Sequence, residues 1–364
     1  MESPRITVST PGRICLFGEH QDYLGLPVIA AAIDRRISIE GKKRDNDRMV
    51  ISLPDIGTEV SFPVGGPLEY VQERDYFRSS VNVLQKHGHK FSRGYDCSVH
   101  GRIPINAGTS SSSALVVSWI HFLSHISDFP VSLSQEDIGK LAYEAEVLEF
   151  SEPGGMMDQY STALGGLIYL ESYPQIKIAP LEAPLGSFVL GNSGEKKDTK
   201  SILARVRGEV SGVAASARSI YPEFSFHTVT VEQLGDFKKG LQARHFEVLE
   251  ATVANRDITL KARQLLQTKI VDHTAVGNLL NEHQRRLRDT LRISTEKIDL
   301  MIDAALNAGA LGAKINGSGG GGCMFAYAPE NAEKVAEAVS RIAEAFVISI
   351  DEGTVFTDGE AGHA

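Results

Sequence analysis

Arg13, Glu19, His20 and Asp22 place four charge-bearing side chains within ten residues, in the run Pro11-Gly12-Arg13-Ile14-Cys15-Leu16-Phe17-Gly18-Glu19-His20-Gln21-Asp22-Tyr23-Leu24-Gly25. Two carboxylates, an imidazole and a guanidinium at one turn can accept and donate hydrogen bonds and neutralise an anion. Charged turns are common on solvated surfaces. Here apolar strands flank the turn and hold the groups at the edge of a core, which favours a site. A second stretch, Gly108-Thr109-Ser110-Ser111-Ser112-Ser113-Ala114, runs into an apolar helical segment. Small residues before a helix leave N–H groups uncovered at the positive end of its dipole, an arrangement that accommodates phosphate. The hydroxyls of Ser110 to Ser113 add donors and can ligate magnesium, although a flexible serine linker capping an ordinary helix would look the same. No G-x-x-x-x-G-K-[ST] occurs, which excludes a Walker-type loop. A third stretch, Gly317-Ser318-Gly319-Gly320-Gly321-Gly322, lies between apolar segments. Without Cβ atoms, such a loop lets its backbone approach a ligand or another loop closely. A sharp strand-to-strand turn is the alternative reading.

The elements that must position these residues can be read from periodicity. Apolar and β-branched runs at Ile6–Val8, Ile14–Phe17, Val28–Ile33, Ile37–Ile39 and Val50–Leu53 predict strands, with punctuation at Gly41–Arg48. Tyr70–His87 and Leu133–Phe150 read as helices, the second with Ser134 as N-cap and Asp137 in the capping-box position. Strands follow at Tyr95–His100, Leu167–Leu170 and Phe188–Leu190, and the chain is mostly helical from Thr199 to Ala308. The end reads strand Ala313–Asn316, glycine loop, strand Cys323–Tyr327, helix Ala332–Ala345 and strand Phe346–Ile350, with a frayed tail from Asp358. Strands interleaved with helices, then helices ending in a small strand-helix-strand set, predict an α+β fold of two domains, 1–185 and 186–364.

Composition narrows the function. The 364 residues are 42% hydrophobic, enough for two cores, and 37 Lys+Arg against 46 Asp+Glu give a net charge of −9. No basic field is available for a nucleic-acid backbone. No apolar run approaches the ~20 residues of a membrane span, and the N-terminal residues lack the plan of a signal peptide. Three cysteines, Cys15, Cys97 and Cys323, make neither a disulfide framework nor a metal site. A cytoplasmic protein, monomer or homodimer, with neither nucleic acid nor membrane as partner, is expected.

Read together, the three stretches resemble the galactokinase–homoserine kinase–mevalonate kinase–phosphomevalonate kinase (GHMP) superfamily. Pro11–Asp34 resembles the galactokinase signature: Arg13, the Gly-Glu-His triplet 18–20, Asp22-Tyr23, Gly25 and Ala32-Ile33-Asp34 all match. Gly108–Ala114 resembles the family's Gly-Leu-Ser-Ser-Ser-Ala loop, and Gly312–Cys323 its Gly-Ala-Lys…Gly-x-Gly-x-Gly-Gly-Cys block. Ala145–Gln159 resembles the stretch that supplies a magnesium-binding glutamate and, twelve residues on, the catalytic aspartate, which map onto Glu146 and Asp158. The resemblance implies a ribosomal protein S5 domain 2-like N-terminal domain and a ferredoxin-like α/β sandwich after it. It also implies a sugar-1-kinase that uses ATP with Mg²⁺. In that scheme Asp158 and Arg13 are catalytic, and Glu19, His20 and Asp22 contact sugar hydroxyls. Gly108, Thr109, Ser110, Ser111, Ser112 and Ser113 cradle the ATP phosphates, Ser112 and Glu146 hold Mg²⁺, and Gly317–Gly322 pack over the phosphate loop.

The chain departs from the family pattern at Asn106, Thr109, Ser113 and Gln21. Continued without gaps, the resemblance puts Ala204 where galactokinases carry a sugar-contacting tyrosine. With Lys196 and Lys197 near it in sequence, the acceptor is expected to be galactose-like, or a uronic acid or other C5/C6 variant. The block from Asn281 to Cys323 resembles archaeal-type mevalonate kinases as closely as galactokinases, so a mevalonate-type kinase is one alternative. A non-catalytic galactokinase-like sugar sensor is the other.

Overall fold

Continuous buried apolar runs, Ile14–Phe17 and Val28–Ile33, joined to the alternating stretches Ile6–Ser9 and Ile37–Glu40, make Ile6–Phe17 (β1) and Val28–Lys43 (β2) two long antiparallel strands, paired along nearly their whole length. The computed structural model describes residues 5–196 and 198–358, so the expected frayed tail beyond Asp358 lies outside the described residues. The separate strands expected at Val28–Ile33 and Ile37–Ile39 are one. Its register jumps between Pro11↔Arg36 and Gly12↔Ile33, so Asp34 and Arg35 are accommodated as a bulge and not a break. Gly41 does not end the strand either: a Cβ there would lie 2.3 Å from the Phe122 ring.

The first sheet adds Arg48–Leu53 (β3), Thr58–Pro63 (β4), Tyr95–Gly101 (β5), Leu167–Glu171 (β6) and Lys177–Leu181 (β7). Among the described residues its order is β12-β1-β2-β5-β3-β4, where β12 is Val355–Asp358, with β6 beside β2 and β7 beside β6. The β3–β5 pair is parallel. The second sheet is antiparallel: Phe188–Asn192 (β8), Gly312–Ile315 (β9), Cys323–Tyr327 (β10) and Glu344–Ile348 (β11), in the order β11-β8-β10-β9. The closing strand of the first sheet, Val355–Asp358 (β12), comes from the far end of the chain and pairs with Ile6–Ser9 of β1. Arg36 secures this return by donating to the Ser9 and Gly353 carbonyls, at 2.9 and 2.7 Å, and to Asp351 at 2.7 Å.

Among the described residues, four helices belong to the first domain: Tyr76–Lys86 (α1), Ser111–Ile126 (α2), Gln135–Tyr143 (α3) and Met157–Leu164 (α4). Six belong to the second: Thr199–Ile220 (α5), Leu234–Phe237 (α6), Ala243–Leu266 (α7), His273–Arg285 (α8), Glu296–Asn307 (α9) and Ala332–Ser340 (α10). The expected helix from Tyr70 starts only at Tyr76, because Arg74 has φ 59° and cannot be helical. Ser134 caps α3 by accepting from the Asp137 N–H at 3.1 Å. That helix does not continue to Phe150 as a regular α-helix; Glu144–Leu148 form a π turn. Each domain has its own apolar core, one around Trp119 and Phe122 and the other around Met301 and Phe237. A third layer, with Ile14 and Phe17 facing Leu190 and Phe325, welds the two sheets together.

Candidate functional site

One cavity of about 320 Å³ opens where the three chemical stretches meet. Arg13, on β1, is 3% exposed, and its Nε and Nη2 donate to Asp158 Oδ1 at 2.8 and 2.7 Å. Its Nη1 donates to the Gly108 carbonyl. Burial works against this cation, but the charge of Asp158, with lesser help from Cys15 and Glu19, holds it above its ordinary range. Asp158 is placed by the first turn of α4, and its side chain is 32% exposed, so the carboxylate is tethered yet open to the cavity.

The serine loop forms the N-terminus of α2. Ser110 takes the left-handed conformation at the cap, and its hydroxyl is buried without a hydrogen-bond partner in the cavity wall. Ser111, Ser112 and Ser113 line the same wall. Thr109 does not: its hydroxyl donates to the Pro104 carbonyl at 3.3 Å, and its own carbonyl accepts from the Arg13 N–H at 3.2 Å. It shapes the loop from behind. Glu146, on the π turn, accepts from the Gln159 amide at 2.6 Å. Burial raises the Glu146 carboxyl, opposed by Gln159 and by the hydroxyls of Ser113 and Ser112 beside it. Both serines therefore stand at the carboxylate. Glu149 is elsewhere, tied to the Tyr70 hydroxyl and, at 2.8 Å, to Lys86.

At the other end, Asp22 begins a short 3-10 turn and accepts from the Tyr23 N–H at 2.9 Å. Burial, then the charge of Asp158, pushes its carboxyl up from 3.8 to about 6. Gly155 lies so close that a Cβ would sit 2.2 Å from Asp22 Oδ2. His20 has φ 62° and spends its ring on neighbours, Nδ1 on the Tyr23 hydroxyl at 3.2 Å and Nε2 on the Ser318 carbonyl at 3.0 Å. Glu19 is buried at the cavity wall and paired through Oε1 with Lys314, leaving Oε2 unpartnered. Lys314 belongs to the Gly312–Cys323 block, but nothing in its sequence neighbourhood marks it as a partner of Glu19. Arg74, paired with Glu152 through bonds of 2.9 and 2.7 Å, also lines the cavity and carries no sequence signal of that position.

The glycine loop does pack over the phosphate loop. Gly317, Gly319, Gly320, Gly321 and Gly322 all have positive φ, and a Cβ on Gly317 would lie 2.8 Å from the Gly108 carbonyl oxygen. The Cys323 N–H donates to the Ala107 carbonyl at 2.7 Å. From α5, Thr199 and Leu203 reach the cavity, whereas Ala204 is exposed and turned away. The gap-free placement of Ala204 at the acceptor is therefore corrected: the residue facing the cavity there is Leu203, and Ala204→Tyr is expected to leave kcat/KM unchanged for every acceptor turned over. Lys196 is exposed and outside the cavity wall, and Lys197 lies outside the described residues. No described helix is long and apolar enough to cross a membrane.

Comparison with known proteins agrees with this geometry. Residues 1–43 match the galactokinase galactose-binding signature, 75–166 the GHMP kinases N terminal domain and 263–345 the GHMP kinases C terminal domain. The chain is 31% identical over 344 residues to the mevalonate kinase of Thermococcus sibiricus, covering 92% of each protein. It is 28% identical over 339 residues to the galactokinase of Actinobacillus pleuropneumoniae, covering 90% of this chain and 86% of that one. The crystal structure of Lactococcus lactis galactokinase complexed with galactose shares the fold at a TM-score of 0.85, with 22% identity over 96% of this chain and 95% of that one. A crystal structure of mevalonate kinase shares it at 0.68, with 20% identity over 94% and 98%. With the signature at its N-terminus and both kinase domains after it, the chain belongs to the GHMP kinase family and is galactokinase-like within it.

Proposed function

We propose that this protein is a kinase that uses ATP and Mg²⁺ to phosphorylate a free sugar at its anomeric hydroxyl, giving the sugar 1-phosphate. The observation that carries the reading is the Arg13–Asp158 pair, in one cavity with the partnerless Ser110 hydroxyl and with Asp22. Phosphoryl transfer is mostly positioning and charge neutralisation, with one group to orient or deprotonate the attacking hydroxyl. Asp158 would take that role, and Arg13 would stabilise charge developing on the transferred group. The N-terminus of α2 and the Ser110 hydroxyl would hold the phosphates. Magnesium prefers oxygen ligands and is usually bound by one or two carboxylates together with phosphate and water. Glu146 with Ser112 or Ser113 offers the protein's share of such a set, and the ion would offset phosphate charge. Glu19, His20 and Asp22 would contact the acceptor.

A galactose-like neutral sugar fits best, because Asp22 and Asp158 make this end of the cavity acidic and a substrate carboxylate would meet like charge. A uronic acid or other C5/C6 variant is the competitor. Mevalonate is the second reading, favoured by the relatives of that name at 31% identity. ADP release against neutral hexoses, uronic acids and mevalonate, with phosphorus NMR of the product, separates them. A hexose 1-phosphate is expected. Turnover of mevalonate alone would overturn the sugar reading, and sugar and nucleotide binding without ADP release would make the protein a sensor.

Asp22 also predicts a pH dependence. Its folded value of about 6 lies above the ordinary 3.8, so the folded protein binds more protons than the unfolded chain between those values. Asp22 therefore makes stability fall as pH rises through that window. Binding has the opposite sign, since protonation removes the charged acceptor of hydrogen bonds. The kcat/KM for the sugar is expected to drop below pH about 6, a limb that Asp22→Asn flattens. A limb of unchanged midpoint in Asp22→Asn assigns it to another group.

A further inference from the structure

Lys314 and Asn316 are two residues apart where β9 leads into the glycine loop, both fully buried. Two-residue spacing in extended chain puts side chains on one face, and both of these meet Cys15 of β1. The Cys15 carbonyl accepts from Lys314 Nζ at 3.0 Å, and the Cys15 N–H donates to Asn316 Oδ1 at 2.9 Å. On its other side this part of β1 pairs with β2, while β12 covers only Ile6–Ser9. Two side chains from the second domain thus occupy the hydrogen-bonding groups that a further strand would otherwise use. Their remaining polar atoms go to opposite ends of the cavity. The Lys314 ammonium has three donors, given to the Cys15 carbonyl, to the Ile315 carbonyl at 2.9 Å and to Glu19 Oε1. The Asn316 amide donates to the Gly108 carbonyl at 2.8 Å, the same oxygen that accepts from Arg13.

Lys314 is the cation ion-paired with Glu19, while Arg13, whose charge also acts on Glu19, is committed to Asp158. His283 Nδ1 is 3.8 Å from Glu19 Oε2, and burial, with the Lys314 charge, pushes that imidazole well below its ordinary range. A buried carboxylate without a paired cation is costly. At the other end, Gly108 has φ 86° and Ser110 φ 60°, so the loop conformation that presents the Ser110 hydroxyl depends on what holds its root.

We propose that Lys314 and Asn316 are positioning residues through which the second domain sets both ends of the site: Lys314 fixes the Glu19 carboxylate for the acceptor, and Asn316, with Arg13, fixes the root of the phosphate loop. The inference rests on the kinase reading above and divides the two substrates between two residues. Lys314→Met is expected to raise the acceptor KM by about tenfold or more, the scale of a lost charge-assisted interaction, with ATP affinity unchanged. Asn316→Asp keeps an acceptor for the Cys15 N–H but removes the donor to Gly108. It is expected to weaken binding of a fluorescent ATP analogue by a similar factor and to leave the acceptor KM alone.

A merely structural role would lower the melting temperature and the active fraction without this split, and that result overturns the proposal. Should Lys314→Met not fold, Glu19→Gln/Lys314→Met removes both charges together. It is expected to fold with the acceptor KM still raised, and a wild-type acceptor KM in the double variant overturns the proposal. Glu19→Gln alone tests the underlying reading. If it leaves the acceptor KM unchanged, Glu19 is not an acceptor contact and that reading fails. If it raises the KM while folded Lys314→Met does not, the reading stands and the positioning role is wrong.

Discussion

Asp158→Asn is expected to lower kcat by about 10²–10⁴-fold, the usual contribution of a positioned general base, with both KM values near wild type. The amide keeps the shape of the carboxylate and can still meet Arg13, but it cannot take a proton from the attacking hydroxyl. Single-turnover phosphoryl transfer measures this directly, without interference from product release. Activity within about a factor of two of wild type would remove Asp158 from the chemistry, being far below that range. Arg13→Lys is a companion test. Arg13 directs Nε and Nη2 at Asp158 and Nη1 at Gly108, and a lysine ammonium cannot reproduce that planar fork. Its loss of kcat is expected to be large even though the charge is conserved.

The second large effect concerns the glycine loop. Gly317→Val introduces a β-branched residue at φ 75° and a Cβ 2.8 Å from the Gly108 carbonyl oxygen. Backbone strain of this kind and overpacking each cost about 1–3 kcal/mol, and here both act on the loop that presents Ser110. A lowered melting temperature is expected, together with a loss of ATP affinity in whatever fraction folds. Gly166→Ala is the control, because Gly166 has φ 63° but nothing within 4 Å of its Cβ position. It shares the conformational strain without the contact, so its nucleotide affinity is expected to be that of wild type. Equal ATP affinity in Gly317→Val and Gly166→Ala would mean that the glycine loop does not act on the phosphate loop.

Residues that are close in sequence and chemically distinctive are legible from the sequence alone. The Arg13–Asp22 run, the serines after Gly108 and the Glu146–Asp158 spacing come together in one cavity. Their local context, strand into turn or loop into helix, is encoded within a few residues. The partners of these groups are not legible in that way. Lys314 and Asn316 reach Cys15 across about three hundred residues, a distance that no local pattern records. The π turn at Glu144–Leu148 escapes because it is a change in backbone hydrogen-bond spacing that no residue type marks. Asp34-Arg35 reads as a strand break because polarity in a strand looks the same whether the chain turns or bulges. Ala204 misleads for a related reason: a gap-free extension into a helix shifts the inward face with every residue, and Leu203 faces the cavity instead.

The pairing of β12 with β1 has a consequence for how the protein is made. Ile6–Ser9 is translated about 350 residues before its partners Val355–Asp358. Both domains' remaining strands and helices are made in between. At about 5–20 residues per second, the outer edge of β1 waits roughly 20–70 s for its neighbour. An open strand edge is a template for pairing with other chains. The hazard is therefore greatest on the polysome, where many nascent copies carry the same bare edge at once, and it ends only when β12 arrives.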